Sequence, residues 1–347
     1  MSRLHSTVVI TDKILATCRP TKRFDYHDKA SITSLDFDDS GQYLISAGID
    51  KSVQLYDVHK GTHSKDIKSQ KYGAHLARFT HNALQYLHAS TPTEKAEVDH
   101  AIRFSDLSNN QYLRYFKGHK GQVTSIEVNP LENTFLSTGY DHTVKMWDLK
   151  SSAPIGNLDI GMESVLAYDP QGLVFAVGCS SSGQISLYNT AYFDKGPFLR
   201  VNVPVTTSWN KLEFSNNGKL ILVSTNGPLH FILDAFLGQI LTTLDTNSDP
   251  IPYGYPSTGS CTFTPCGKFV LAGTSSGKVS LFDLNQIKST DGDVHVVHDD
   301  TNPTRLTPFK VLNANGGIPK IVAFDPKLFT FATADNTVAL WQPQDRL

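Results

Sequence analysis

The chain has 347 residues, 39% of them hydrophobic and 10% aromatic, which is enough apolar surface for a large buried core and excludes a disordered chain. Its formal net charge is −2, with 31 basic and 33 acidic residues scattered through it, so the basic footprint that grips phosphate backbones is missing and direct nucleic-acid binding is not expected. No segment approaches the roughly 20 apolar residues of a membrane-spanning helix, and the first residues carry no sustained apolar run, so no membrane contact is expected and the compartment reads as nuclear or cytosolic.

Residues 13–24, KILATCRPTKRF, come first and have nothing local to pair with. Residues 31–48, SITSLDFDDSGQYLISAG, alternate apolar and polar side chains at period two around an Asp-Ser-Gly turn, the pattern of two antiparallel strands in a hairpin. A third strand, DKSVQLYDV (50–58), follows. The same strand returns as DHAIRFSDL (99–107), after the insertion STPTEKAEVD (90–99), and as DHTVKMWDL (141–149). Hairpins then recur at VLAYDPQGLVFAVG (165–178), KLEFSNNGKLILVST (211–225), CTFTPCGKFVLAGT (261–274) and IVAFDPKLFTFAT (321–333), with turns built on Asp-Pro, Asn-Asn-Gly and Pro-Cys-Gly. Each leads into another copy of the third strand: SGQISLYN (182–189), GPLHFILD (227–234), SGKVSLFD (276–283) and DNTVALW (335–341).

The aromatic or equivalent position of these seven copies falls at Tyr56, Ser105, Trp147, Tyr188, Leu233, Phe282 and Trp341, spaced by about 40 to 60 residues. That period, with the Trp147-Asp148 pair closing the strongest copy, predicts an all-β, seven-bladed WD-repeat β-propeller spanning residues 1–347 as one domain. Only six residues follow Trp341, too few for an outer strand. The unpaired segment at 13–24 is therefore expected to complete the last blade, most simply as an extended stretch at 13–19, and to hide its open edge.

In the strongest copy, His119 precedes the first strand, Ser137 lies in the second, Asp141 in the tight turn and Trp147 on the third. A buried indole N–H needs an acceptor, and a hydroxyl, an imidazole and a carboxylate in series satisfy one another. These four residues are expected to staple the blade. Ser46, Asp50 and Tyr56 hold part of the same set, so that blade is expected to lean more on packing.

Other patterns fail as chemistry. GTSSG (273–277) has the letters of a nucleophile elbow but falls between two strands, not before a helix. GTSSGKVS lacks both the spacing and the magnesium-binding hydroxyl of a phosphate loop. His295, His298, Asp299 and Asp300 could cluster on a metal but read better as a polar loop between blades six and seven. Cys18, Cys179, Cys261 and Cys266 suit neither a disulfide framework nor a zinc site and read as buried thiols in a reducing compartment. No catalytic residue, metal or cofactor is expected, and function is assigned to surfaces. A ubiquitin-ligase substrate receptor, a trafficking-coat component and an enzyme with carboxylates converging on the channel remain the alternatives.

Several stretches resemble one family in particular: SQKYGAHLARFTHNA (69–83), NQYLRYFKGH (110–119), DPQGLVFAVG (169–178), FDKGPF (193–198), KLEFSNNGKLILVSTNG (211–227), LDAFLG (233–238) and FDPKLFTFAT (324–333). They are similar to the WD-repeat propeller subunit of the COMPASS (Set-one) complex, which methylates lysine 4 of histone H3. The resemblance implies a nuclear, non-catalytic adaptor shared with the mRNA cleavage and polyadenylation factor and associated with the phosphorylated tail of RNA polymerase II. The insertions at 90–99 and 287–308 depart from that family's compact pattern. A phosphorylated partner would need Arg or Lys donors on one face, for which Lys71, Arg78, Arg103 and Arg114 of blade two are the candidates, with ordinary solvated charges as the alternative. Tyr72 and Trp209, near loop-to-strand junctions, are candidate aromatic anchors.

Overall fold

The structure, a computed structural model, describes residues 8–92, 99–287 and 304–344. A short helix, α1 (Asp12–Leu15), precedes β1 (Arg19–Phe24). Blade one holds β2 (Ile32–Phe37), β3 (Tyr43–Gly48), β4 (Ser52–Asp57) and β5 (Thr62–Lys68). Blade two holds β6 (His75–Phe79), β7 (Gln85–Ala89), β8 (Ile102–Asp106) and β9 (Gln111–Phe116). Blade three holds β10 (Val123–Val128), β11 (Thr134–Gly139), β12 (Thr143–Asp148) and β13 (Pro154–Asp159). Blade four holds β14 (Val165–Tyr168), β15 (Val174–Cys179), β16 (Gln184–Asn189) and β17 (Leu199–Asn202). Blade five holds β18 (Trp209–Phe214), β19 (Leu220–Thr225), β20 (Leu229–Asp234) and β21 (Ile240–Asp245). Blade six begins with β22 (Cys261–Phe263), β23 (Phe269–Thr274) and β24 (Lys278–Asp283); β25 (Thr304–Leu306) and β26 (Lys310–Asn313) follow. Blade seven is β27 (Ile321–Phe324), β28 (Phe331–Ala334), β29 (Val338–Gln342) and, from the other end of the chain, β1.

Position within a blade dictates the residue pattern. Middle strands pack on both faces, so β23 (FVLAGT) is buried throughout and reads as a nearly continuous apolar run, and β4 (SVQLYD) is buried throughout with its polar Ser52, Gln54 and Asp57 included. Outer strands face solvent on one side, and β5 (THSKDIK) alternates exposed with half-buried positions. The core lies between blades, with one apolar cluster at each of the seven junctions. The junction of blades seven and one, built on Phe24, Leu35, Leu44, Tyr56, Ile321 and Leu340, is packed like the other six, so the ring is closed.

The closing strand differs from expectation in position. β1 pairs antiparallel with β29, Arg19 opposite Gln342 and Phe24 opposite Val338, so residues 19–24 do the pairing and not 13–19. Residues 12–15 instead form a helical turn, because Thr11 caps it by accepting from the Ile14 N–H at 3.3 Å. That turn points Leu15 into the cluster between blades six and seven. Pro20 is tolerated because β1 is an edge strand. The Arg23 guanidinium donates to the carbonyls of Ala314 and Asn315 at 3.0 Å, tying the closure to the preceding blade.

In chain order the stretch at 287–308 precedes the outer strand of blade six, β26, and so does not connect blade six to blade seven. Its described end, β25, runs parallel to β21 and adds a fifth strand to blade five. His295, His298, Asp299 and Asp300, and most of the insertion at 90–99, lie outside the described residues. Cys18, Cys179 and Cys261 are buried, whereas Cys266 is exposed, contrary to its expected burial, because it sits in the hairpin turn between β22 and β23.

Candidate functional site

Three groups of polar side chains compete for the role of a site. The first is the set of blade staples. In blade three the Trp147 indole N–H donates to Ser137 Oγ at 2.8 Å, Ser137 Oγ lies 2.7 Å from His119 Nε2, and His119 Nδ1 lies 3.0 Å from Asp141. Read from the indole outward, each donor has one acceptor. Burial holds the His119 imidazole below its ordinary pKa even against the charge of Asp141. Burial alone would raise Asp141, but the Lys120 N–H and His119 hold it below the carboxylate range. The set is thus a neutral imidazole on an ionised carboxylate, with no proton to lend at neutral pH.

Blade one carries an equivalent set that sequence reading saw only in part. His27 Nε2 lies 2.8 Å from Ser46 Oγ and His27 Nδ1 lies 3.1 Å from Asp50, while the Tyr56 hydroxyl meets Ser46 Oγ at 3.2 Å. The expectation that this blade leans on packing is therefore corrected. His27 escaped notice because no glycine precedes it. Before His119 the loop needs Gly118, where a Cβ would stand 3.0 Å from the Trp147 ring. With the shorter Tyr56 on the third strand, the equivalent place accepts Tyr26, which stacks on His63 at 3.7 Å between centroids. The available signal was spacing: His27 to Asp50 is 23 residues and His119 to Asp141 is 22. Blade seven uses Thr333 to accept from Trp341 Nε1 at 2.9 Å and Lys320 to pair with Asp335 at 3.0 Å. GTSSG (273–277) is the turn from β23 to β24, held by Thr274 Oγ1 against Ser276 Oγ at 3.0 Å.

The second group is the proposed basic patch, and the structure divides it. Arg78 is on the innermost strand β6, not on the rim, and lies in the central channel. Its guanidinium pairs with Asp36 at 3.2 Å and with Glu127, and donates to the Ile126 carbonyl at 3.1 Å. Burial raises the Asp36 carboxyl to about 6 against the pull of Arg78, and raises Glu127 in the same way. Lys211 and Glu213, 2.7 Å apart on β18, continue this belt of channel ion pairs. Arg103 is fully buried at 0% exposure. It donates to Ser90 Oγ at 2.8 Å and the Ala101 carbonyl at 3.1 Å, pairs with Asp99 at 3.0 Å, and lies 3.8 Å over the Tyr72 ring. Neither arginine is free to meet a partner, which corrects their nomination. Lys71 is exposed, with its Nζ 4.9 Å from the centroid of the half-buried Tyr72 ring, and Arg114 is half-buried on the outer strand β9. Tyr72 is thus a platform for Arg103 more than an outward anchor.

The third group was visible in sequence only through Trp209. On the face bearing the loops that lead into the innermost strands, a cavity of about 220 Å³ spans blades three to six. Tyr140, Trp209, Tyr253 and Tyr255 line it, together with Thr124, Asn210 and Glu163. Trp209 is only 6% exposed, whereas Tyr140 and Tyr255 are 46% and 38% exposed at the mouth. Three lining atoms, Trp209 Nε1, Asn210 Oδ1 and Thr124 Oγ1, are buried without a hydrogen-bond partner among the described residues. The Asn210 amide is oriented, since its Nδ2 donates to the Thr225 carbonyl at 3.1 Å and to Asn226 Oδ1 at 3.0 Å. Burial raises the Tyr140 phenol and the charge of Glu163 pushes it the same way. Sequence reading missed Tyr140, Glu163, Tyr253 and Tyr255; the signal was YGYPS (253–257), an aromatic, Gly and Pro run outside the hairpin repeat.

Comparison with known proteins fits this geometry. The family described as WD domain, G-beta repeat matches residues 18–57 and 110–148, the two segments that contain the complete His-Ser-Asp staples. The chain is 37% identical over 343 residues to COMPASS component SWD2 of Saccharomyces cerevisiae, covering 96% of this chain and 98% of that protein. It is 37% identical over 340 residues to WD repeat-containing protein 82 of Drosophila melanogaster, covering 97% and 98%. It is 33% identical over 362 aligned positions to Set1 complex component swd2 of Schizosaccharomyces pombe, covering 97% and 99%.

Proposed function

Because this chain belongs to the family of WD-repeat proteins that includes COMPASS component SWD2 and WD repeat-containing protein 82, we propose that it is a non-catalytic scaffold subunit of nuclear complexes. The assembly we propose first is a COMPASS-type complex that methylates lysine 4 of histone H3. The single observation that carries this reading is end-to-end similarity to two proteins named as components of the COMPASS and Set1 complexes. A shared role in the mRNA cleavage and polyadenylation factor, with a link to RNA polymerase II, belongs to the same proposal.

The site geometry supports docking over chemistry. The staples are closed circuits of hydrogen bonds, and the channel carboxylates Asp36, Glu127 and Glu213 are spent on Arg78 and Lys211. The reading requires no metal or cofactor. A phosphate-reading patch centred on Arg78 and Arg103 is not part of it, because both guanidinium groups are already paired inside the protein. Affinity purification from nuclear extract followed by mass spectrometry is the test. Methyltransferase and polyadenylation subunits are expected to co-purify in stoichiometric amounts; capture of a ubiquitin-ligase adaptor in their place would reject the proposal.

A further inference from the structure

The cavity over blades three to six carries an inference that rests on the scaffold reading and deepens it. Buried polar groups are ordinarily paired, and each one left unmade costs about 1–3 kcal/mol. Here an indole N–H, an amide oxygen and a hydroxyl find no partner among the described residues around one opening. Two of the three can accept hydrogen bonds, and Glu163 is the one charged side chain among the lining residues. Three aromatic rings with exposed or cavity-facing surface, Tyr140, Trp209 and Tyr255, line the same cavity as that carboxylate. The Tyr253 hydroxyl is committed elsewhere, donating to the Lys320 carbonyl at 2.6 Å.

This chemistry selects against an anion. A phosphate or carboxylate would face the charge of Glu163 with only neutral donors, the indole N–H and hydroxyls such as Thr124, to hold it, and the lining offers no lysine or arginine. It suits a cation with several donors. Aromatic faces attract cations through the ring quadrupole, most strongly when desolvated. A guanidinium presents five N–H donors in a planar fork, whereas an ammonium presents three from a point. At about 220 Å³ the cavity is smaller than the roughly 300 Å³ at which pockets for drug-sized molecules begin, so it fits one side chain and not a whole ligand.

We propose that this cavity is the docking site for a single arginine side chain carried on an extended segment of a partner protein. Asn210 Oδ1, Thr124 Oγ1 and the Glu163 carboxylate accept from the guanidinium, Tyr140 and Tyr255 flank its faces, and the Trp209 N–H donates to a carbonyl of the segment that carries it.

Trp147 and Trp341 are fully buried and do not line the cavity, whereas Trp209 does, so a ligand-dependent change in emission reports on it. The probe is a short acetylated and amidated peptide of glycine, serine and alanine with one central arginine, compared with the same peptide bearing lysine, citrulline or phosphoserine. A saturable change is expected with arginine, a weaker one with lysine, and a loss of about tenfold or more in affinity with citrulline, which keeps the shape and drops the charge. Glu163→Gln is expected to remove most of the preference for arginine over citrulline, and Tyr255→Ala to weaken both. Equal binding of arginine and citrulline, a response only to phosphoserine, or no saturable response at millimolar arginine peptide would overturn the proposal. Glu163 and Tyr255 are exposed, so unchanged melting of both variants separates lost docking from lost folding. If the peptides fail while the chain still co-purifies with methyltransferase subunits, the arginine site falls and the scaffold reading stands.

Discussion

Two regions of this propeller hold polar side chains away from bulk solvent and resolve them in opposite ways. Around Arg78 and Arg103 the charges are paired from within, Arg78 by Asp36 and Glu127, Arg103 by Asp99 and the Tyr72 ring, with only Arg103 Nε left without a partner among the described residues. Around Trp209, an indole N–H, an amide oxygen and a hydroxyl find no partner among the described residues, in a cavity that two exposed tyrosines and the Glu163 carboxylate also line. The difference teaches that charge alone is a poor guide to a docking surface. Groups that have satisfied one another hold the fold, and unsatisfied groups that line an opening mark where something else can fit.

The sharpest way to break the satisfied side is to open the ring. Deleting residues through Phe24 strips β29 of its partner and uncovers the clusters that Leu15 and Phe24 fill. Apolar burial alone puts the loss above about 3 kcal/mol, so cooperative melting is expected to disappear and the chain to aggregate through the bared edge. Acid should weaken the same interior. Burial holds His75 and His88 at about 3 and His230 at about 4, below the ordinary 6.5. The unfolded chain takes up these protons first, so their stabilising contribution is complete above pH 6.5 and drains away as pH falls through 6.5 toward 4. Thermal melts across that range should show the fall, and His75→Leu should flatten it.

Single substitutions come next. Arg78→Ala leaves the half-buried Asp36 and Glu127 of the channel without their cation and is expected to cost about 3 kcal/mol or less by chemical denaturation. Asp141→Ala unpairs His119 and the Lys120 N–H and should cost about 1–3 kcal/mol. His27→Ala should cost a similar amount, since blade one holds an equivalent circuit; a negligible cost would return that blade to packing alone.

The fold was legible from the sequence because it is written seven times. Period-two hairpins and a recurring third strand survive degeneracy in any one copy, and ring closure follows from counting strands. What stayed hidden was non-periodic. α1 depends on a single Thr11 cap, and β25 joins blade five from an insertion with no repeat signature. His27 was masked by the swap of Gly and Trp for Tyr26 and Tyr56. The site was less legible still. Arg78 and Arg103 look like surface charges in one dimension, and only the packing of β6 toward the channel and of β8 inside blade two shows them to be internal. Tyr140, Glu163, Trp209 and Tyr255 come from four separate loops or strand ends, so no local pattern joins them.

The most direct test is hydrogen exchange on this chain, free and within its purified complex. The account predicts that complex formation protects the loops at 161–165, 208–210 and 253–257 around Trp209 and leaves the outer strand at 111–116 of blade two unchanged. Protection of that strand, with the Trp209 loops exchanging as they do in the free chain, would contradict it.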